Sequence, residues 1–146
     1  MEYTDYRNIE LSLLAAFSAS MPDKVTVTLE ELEEPLTMPT VGLYMLTLDY
    51  TAFEMGNQDD KDYLNWGVAI YADTKQERDY LMIFIYSKLK DWCTDLYDYS
   101  LDPATVIGKI NYTEPSAEPI RSPKDTTDKL LYNALVTFKI TYYQED

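Results

Sequence analysis

Leu130-Leu-Tyr-Asn-Ala-Leu-Val-Thr-Phe-Lys-Ile-Thr-Tyr-Tyr143 places Leu130, Tyr132, Ala134, Val136, Phe138, Ile140 and Tyr142 on one parity and mostly Asn, Thr and Lys on the other. Side chains alternate between the faces of an extended chain, so this is a long β-strand with one buried face. Upstream, Trp66-Gly-Val-Ala-Ile-Tyr-Ala-Asp-Thr-Lys-Gln-Glu-Arg-Asp-Tyr-Leu81 reads as a strand running directly into a helix. Thr74 and Glu77 stand there at capping-box spacing, where each side chain can satisfy a backbone N–H that the first helical turn leaves free.

The remaining elements follow from periodicity. From Asp5 to Ser20, Tyr6, Ile9, Leu13, Ala16 and Phe17 recur at intervals of three and four, and Leu11 and Leu14 widen the stripe. That is an amphipathic helix, ended at Met21-Pro22-Asp23 because proline cannot continue the ladder. Val25 to Leu29 alternates as a short strand, followed by an acidic connection with two prolines from Glu30 to Pro39. A strand from about Val41 to Phe53 carries Tyr44, Leu46, Leu48 and Tyr50 on one face, with Leu43 and Met45 marking the start of the other as covered. An acidic loop, Met55 to Asp62, then turns the chain into an antiparallel strand over Tyr63 to Ala72. The second helix carries Leu81, Phe84, Ile85, Leu89 and Trp92 to about Cys93. Asp95 to Pro103 reads as an acidic linker, Thr105 to Thr113 as a strand interrupted by Gly108, and Glu114 to about Lys129 as a long proline-rich loop.

The order is therefore α-β-β-β-α-β-β. Two amphipathic helices must each bury a stripe, and the economical arrangement is an α+β fold with both packed on a mixed or mainly antiparallel sheet. At 146 residues, the chain fits one domain.

Composition narrows the function classes. The formal net charge is −14, from 26 Asp and Glu against 12 Lys and Arg, so wrapping of DNA or docking on an anionic membrane is disfavoured. Such a charge serves solubility, a basic partner, or a surface past which DNA slides without adhering. Tyr is overrepresented, at 14 against 4 Phe and 2 Trp. It suits half-buried strand positions as well as surfaces that meet other surfaces. With one cysteine, Cys93, and no histidine, an intrachain disulfide and Cys/His zinc clusters are excluded. Cys93, beside Trp92 at the helix end, reads as a small buried hydrophobe rather than a nucleophile. The N-terminus lacks the basic and apolar regions of a signal peptide, and no apolar run reaches the ~20 residues of a membrane span, so a cytoplasmic site of synthesis is expected.

Chemical motifs are sparse. The four glycines, at 42, 56, 67 and 108, form no phosphate-binding loop, and no nucleophile–histidine pair can exist. Asp59-Asp60-Lys61-Asp62 lacks the glycine and glutamate of an EF-hand and reads as a solvated loop, and Glu30 to Glu34 as a charged sheet edge. No catalytic residue, metal site or cofactor is expected. Pro115, Pro119 and Pro123 are spaced four apart, which does not match the PxxP form, and fit either a floppy loop or an arm reaching a neighbour.

The strand ending in Val68-Ala-Ile-Tyr-Ala72 and the helix opening at Asp73-Thr-Lys-Gln-Glu-Arg-Asp-Tyr-Leu81 resemble the tail-terminator and tail-to-head joining (neck) proteins of tailed bacteriophages. The N-terminal Ile9–Phe17 helix and the final Tyr132–Tyr143 strand extend the likeness over nearly the whole chain. The resemblance implies a structural virion protein, assembled in the host cytoplasm into a commonly hexameric ring that caps the tail tube and meets the head connector or sheath. It carries over no catalytic residues. A ring needs two different complementary faces on each subunit. On this reading the loop residues Pro115, Pro119, Ile120, Arg121 and Pro123 contact a neighbouring copy, and Asp59, Asp60 and Asp62 face the channel, where like charge keeps passing DNA from adhering. The alternative reading is an acidic adaptor or DNA mimic bound to a basic protein, and a small enzyme with a paired-carboxylate pocket is third.

Overall fold

The alternation of the last strand organises the whole molecule. In the computed structural model, which describes residues 1–29, 39–52, 60–120 and 132–144, the elements are α1 (Tyr3–Ser20), β1 (Thr26–Leu29), β2 (Thr40–Ala52), β3 (Asp60–Ala72), α2 (Lys75–Leu89), β4 (Cys93–Asp98), β5 (Thr105–Asn111), β6 (Thr113–Ile120) and β7 (Tyr132–Gln144). The fold is α+β. A mixed five-stranded sheet has the order β1-β2-β3-β7-β6, and β4 pairs with β5 in a second small sheet. β1 runs parallel to β2; the β2–β3, β3–β7 and β6–β7 pairs are antiparallel.

β3 and β7 form the centre, and their register explains why one face is apolar. Leu64 lies opposite Ile140, Trp66 opposite Phe138, Val68 opposite Val136 and Ile70 opposite Ala134. All eight are buried. Both helices cover this face. Ile9, Leu13 and Phe17 of α1 and Leu81, Ile85 and Leu89 of α2 join the same apolar cluster, with Tyr6 stacked on Trp66 and Phe17 on Phe138. Thr74 caps α2 as its spacing predicts, its Oγ1 accepting the Glu77 N–H at 3.1 Å.

An aromatic chain ties the second sheet to the first. Phe17 meets Trp92 edge-on at 5.0 Å, Trp92 stacks on Tyr112 at 5.0 Å, and Tyr112 meets Phe138 at 5.2 Å. Tyr112 stands between β5 and β6, and its hydroxyl lies 2.7 Å from Thr94 Oγ1 on β4.

Several segments differ from the sequence expectation. Cys93–Asp98, the first part of which precedes the expected linker, is strand β4, because α1 supplies acceptors for its free edge: Ser12 Oγ takes the Tyr97 N–H and Asn8 Oδ1 the Tyr99 N–H, each at 3.0 Å. The second helix stops at Leu89, so Cys93 begins β4 and is exposed, while its neighbour Thr94 turns inward. Thr113–Ile120 is a strand rather than a loop. Proline lacks the N–H donor of a ladder, but β6 is the last strand of the sheet and tolerates it. Pro115 falls where the β6–β7 register shifts, beside Glu114, whose φ of 52° is left-handed.

On β2 the register slips at Leu46, so Tyr44 opposite Gly67 and Leu48 opposite Leu64 point to opposite faces instead of sharing one. Val41, Leu43 and Met45 supply the core-facing side. Among the described residues no helix lies on the second face of the sheet; there Asn65 Nδ2 donates to Thr47 Oγ1 at 2.6 Å and to Asp49 Oδ2 at 3.0 Å.

Candidate functional site

Of the acidic residues expected in a channel, the two that are described do not lie in a loop. Asp60 and Asp62 belong to β3, and Asp62 shares the parity of Leu64 and Trp66. Its side chain is buried, and its Oδ2 lies 3.3 Å from the Met1 ammonium. A carboxylate so placed is neutralised inside the fold and presents no charge to a passing polymer. Asp59 lies outside the described residues. Of the expected contact loop, Pro115, Pro119 and Ile120 are in β6, with Ile120 exposed, whereas Arg121 and Pro123 lie outside the described residues.

The surfaces that stand out carry uncovered apolar side chains, and the first is the outer face of α2. Leu81, Ile85 and Leu89 point to the core, yet Tyr80, Ile83 and Ser87 lie on the opposite side, with Phe84 and Lys88 on the flank between, where Phe84 also packs against the core. Tyr80 is 59% and Ile83 55% exposed. These residues, with Asp79, line an open groove of about 690 Å³. Lys88 Nζ sits 5.5 Å from the Phe84 ring centre and 5.6 Å from that of Trp92, an arrangement that keeps its charge at the edge of the groove. Lys75 pairs with Asp79 at 2.7 Å, and Arg78 with the same carboxylate at 3.1 Å. Held first by the Lys75 hydrogen bond, the Asp79 carboxyl lies below its ordinary range.

The second surface is the end of the β4–β5 sheet. Tyr99, Leu101, Val106 and Ile107 are all exposed there, with Leu101 at 50% and Ile107 at 54%. Asp98 and Asp102 accompany them. Two hydrogen bonds from Ser100 to Asp98 Oδ1 hold the turn and keep the Asp98 carboxyl below its ordinary range. A strand rises about 3.3 Å per residue, so the end of β4 lies roughly 17 Å from its start beside Trp92. That end is tied to α1 through Asn8 and Ser12, which fixes its direction.

A third concavity, of about 400 Å³, lies where α1 meets β4 and β5, lined by Ala15, Ala16, Ala19, Cys93 and the Lys109–Asp95 ion pair. Among the described residues, no group of three or more Cys, Asp or Glu is arranged to hold a metal. No helix among them is long and apolar enough to cross a membrane.

The strip on α2 was legible in part. Tyr80 and Ile83 are apolar residues out of phase with the core stripe, a signal of a second contact face. The β4–β5 end was hidden by its acidic, turn-forming composition. Compared with known protein families and with curated protein sequences, the chain matches none.

Proposed function

We propose that this protein is a structural virion subunit that assembles with copies of itself into a ring at the neck or head-proximal end of a phage tail, capping the tail tube and joining it to the head connector. The observation that carries the reading is the presence of two uncovered apolar surfaces of different chemistry on different elements, the outer strip of α2 and the end of the β4–β5 sheet. Scattered single apolar residues are ordinary on a protein surface; clusters of this kind mark interaction sites. Two unlike surfaces on one subunit suit head-to-tail association, which closes into a ring when the rotation between neighbours permits.

The order of elements supports the same reading. An N-terminal helix, the β2–β3 hairpin, the direct passage from β3 into α2 and a long final strand match the pattern that resembles the tail-terminator and neck proteins. A net charge of −14 suits a ring through which DNA passes without sticking. Asp62, buried and paired, is not among the carboxylates this reading calls on.

Sedimentation of the purified protein, alone and with tail tubes, tests this reading. The expected result is a discrete multimer, in solution or on tube ends, that persists as salt is raised. A single chain bound to a basic protein and released by salt would instead establish the acidic-adaptor alternative.

A further inference from the structure

We propose that Asn8 and Ser12 of α1 form a guard on the free edge of β4, holding it closed against pairing with the same strand of a second copy. The inference does not depend on the ring reading. Among the described residues, the two sheets end in four edge strands, β1, β6, β4 and β5. An open edge presents a row of free N–H and C=O groups and is a template for the strand of another chain. Three of the four carry their own protection. β1 has only four residues, β6 contains Pro115 and Pro119, and β5 bulges at Ile107 and bears the exposed Lys109. The sequence of β4, Cys93-Thr-Asp-Leu-Tyr-Asp98, has neither proline nor lysine.

Its protection comes from α1. Asn8 and Ser12 are polar residues buried beside Ile9, Leu13 and Phe17, at 5% and 1% exposure. A buried polar group costs free energy unless it is hydrogen-bonded, and these two accept the Tyr99 and Tyr97 N–H groups, each at 3.0 Å. Both N–H groups point away from β5, to the side on which a further strand would add. Once opened, this edge is complementary to itself. With Tyr97 set antiparallel to Tyr97 of a second copy, Asp95 falls opposite Tyr99 and Leu96 opposite Asp98. No two carboxylates then meet directly, and the central pair is aromatic, both of which favour cross-strand association.

Asn8→Ala combined with Ser12→Ala, made in the full chain, removes both acceptors, and amide exchange and sedimentation are read over a range of concentrations. In dilute solution the Tyr97 and Tyr99 amides are expected to exchange faster than in the wild type. As concentration rises they regain protection, and the chain gains an association that the wild type lacks. Adding Tyr97→Pro abolishes that association, because proline has no N–H to offer and is tolerated on an edge at a register shift. Leu13→Ala loosens the same helix but keeps both acceptors, and is expected to show no such association. Fast exchange at Tyr97 and Tyr99 at every concentration, with wild-type sedimentation, would make the two hydrogen bonds purely structural and overturn the guard. Association that persists with Tyr97→Pro, or that Leu13→Ala shares, also overturns it. If the double variant fails to fold, Ser12→Ala alone, read at Tyr97 over the same concentrations, decides by the same outcomes.

Discussion

The hydroxyl of Ser12, in the middle of α1, accepts the backbone N–H of Tyr97 on β4 at 3.0 Å, across 85 positions of sequence. One helical turn earlier, Asn8 does the same for Tyr99. Residues four apart on a helix are spaced about 6 Å and residues two apart on a strand about 6.7 Å. The two repeats run nearly in step, so one helix face can satisfy one strand edge.

Ser12→Ala leaves the Tyr97 N–H without its acceptor at a site where Ser12 itself is 1% exposed. The expected cost is about 1–3 kcal/mol. Chemical denaturation measures the loss, and amide exchange at Tyr97 and Tyr99 accelerates while exchange at Trp66 and Val68 follows only global stability.

Phe17, on α1, packs its ring against those of Trp92 and Phe138. Phe17→Ala removes its packing on Trp92 and Phe138 and opens a cavity in the fully buried core, at an expected cost of about 3–5 kcal/mol. A fall in the denaturation midpoint without change in its slope checks this.

Glu114 holds a left-handed backbone where the β6–β7 register shifts. Its ion pair with Lys139, at 3.2 Å and largely exposed, contributes little. Glu114→Gly relieves the backbone strain at the cost of chain entropy and is expected to fall within about 0.5 kcal/mol of neutral. Glu114→Val, whose branched Cβ is disfavoured at positive φ, should cost about 1–2 kcal/mol. Equal melting of the two variants would contradict the strain assignment.

Tyr112 and Tyr142 set the alkaline limit. Burial raises the Tyr112 phenol well above its ordinary 10.0, and burial followed by the neighbouring Asp5 carboxylate pushes Tyr142 up to about 12. Above pH 10 the unfolded chain releases these protons while the folded chain keeps them, so stability present below pH 10 declines as pH rises from there towards 12 and beyond. Tyr142→Phe should flatten this decline relative to wild type in melts taken between pH 9 and pH 11.5.

The elements read correctly from sequence were those whose order depends on their own side chains. β7 and β3 alternate because one face is buried, and α2 starts at Thr74 because Thr74 caps it. β4 and β6 were hidden because each depends on a partner distant in sequence: β4 on acceptors from α1, and β6 on a sheet-edge position where prolines are harmless. Asp62 was misplaced for a related reason, since its burial rests on three-dimensional partners such as the Met1 ammonium that the local sequence does not reveal. The apolar strip of Tyr80 and Ile83 was present in the sequence, but periodicity alone assigns a helix one apolar face.

Electron microscopy of the purified protein, with and without tail tubes, addresses self-assembly most directly. Closed rings of identical copies around a central channel, or tube ends capped by such rings, are the predicted result. Single chains at every concentration, with tube ends left bare, would contradict it.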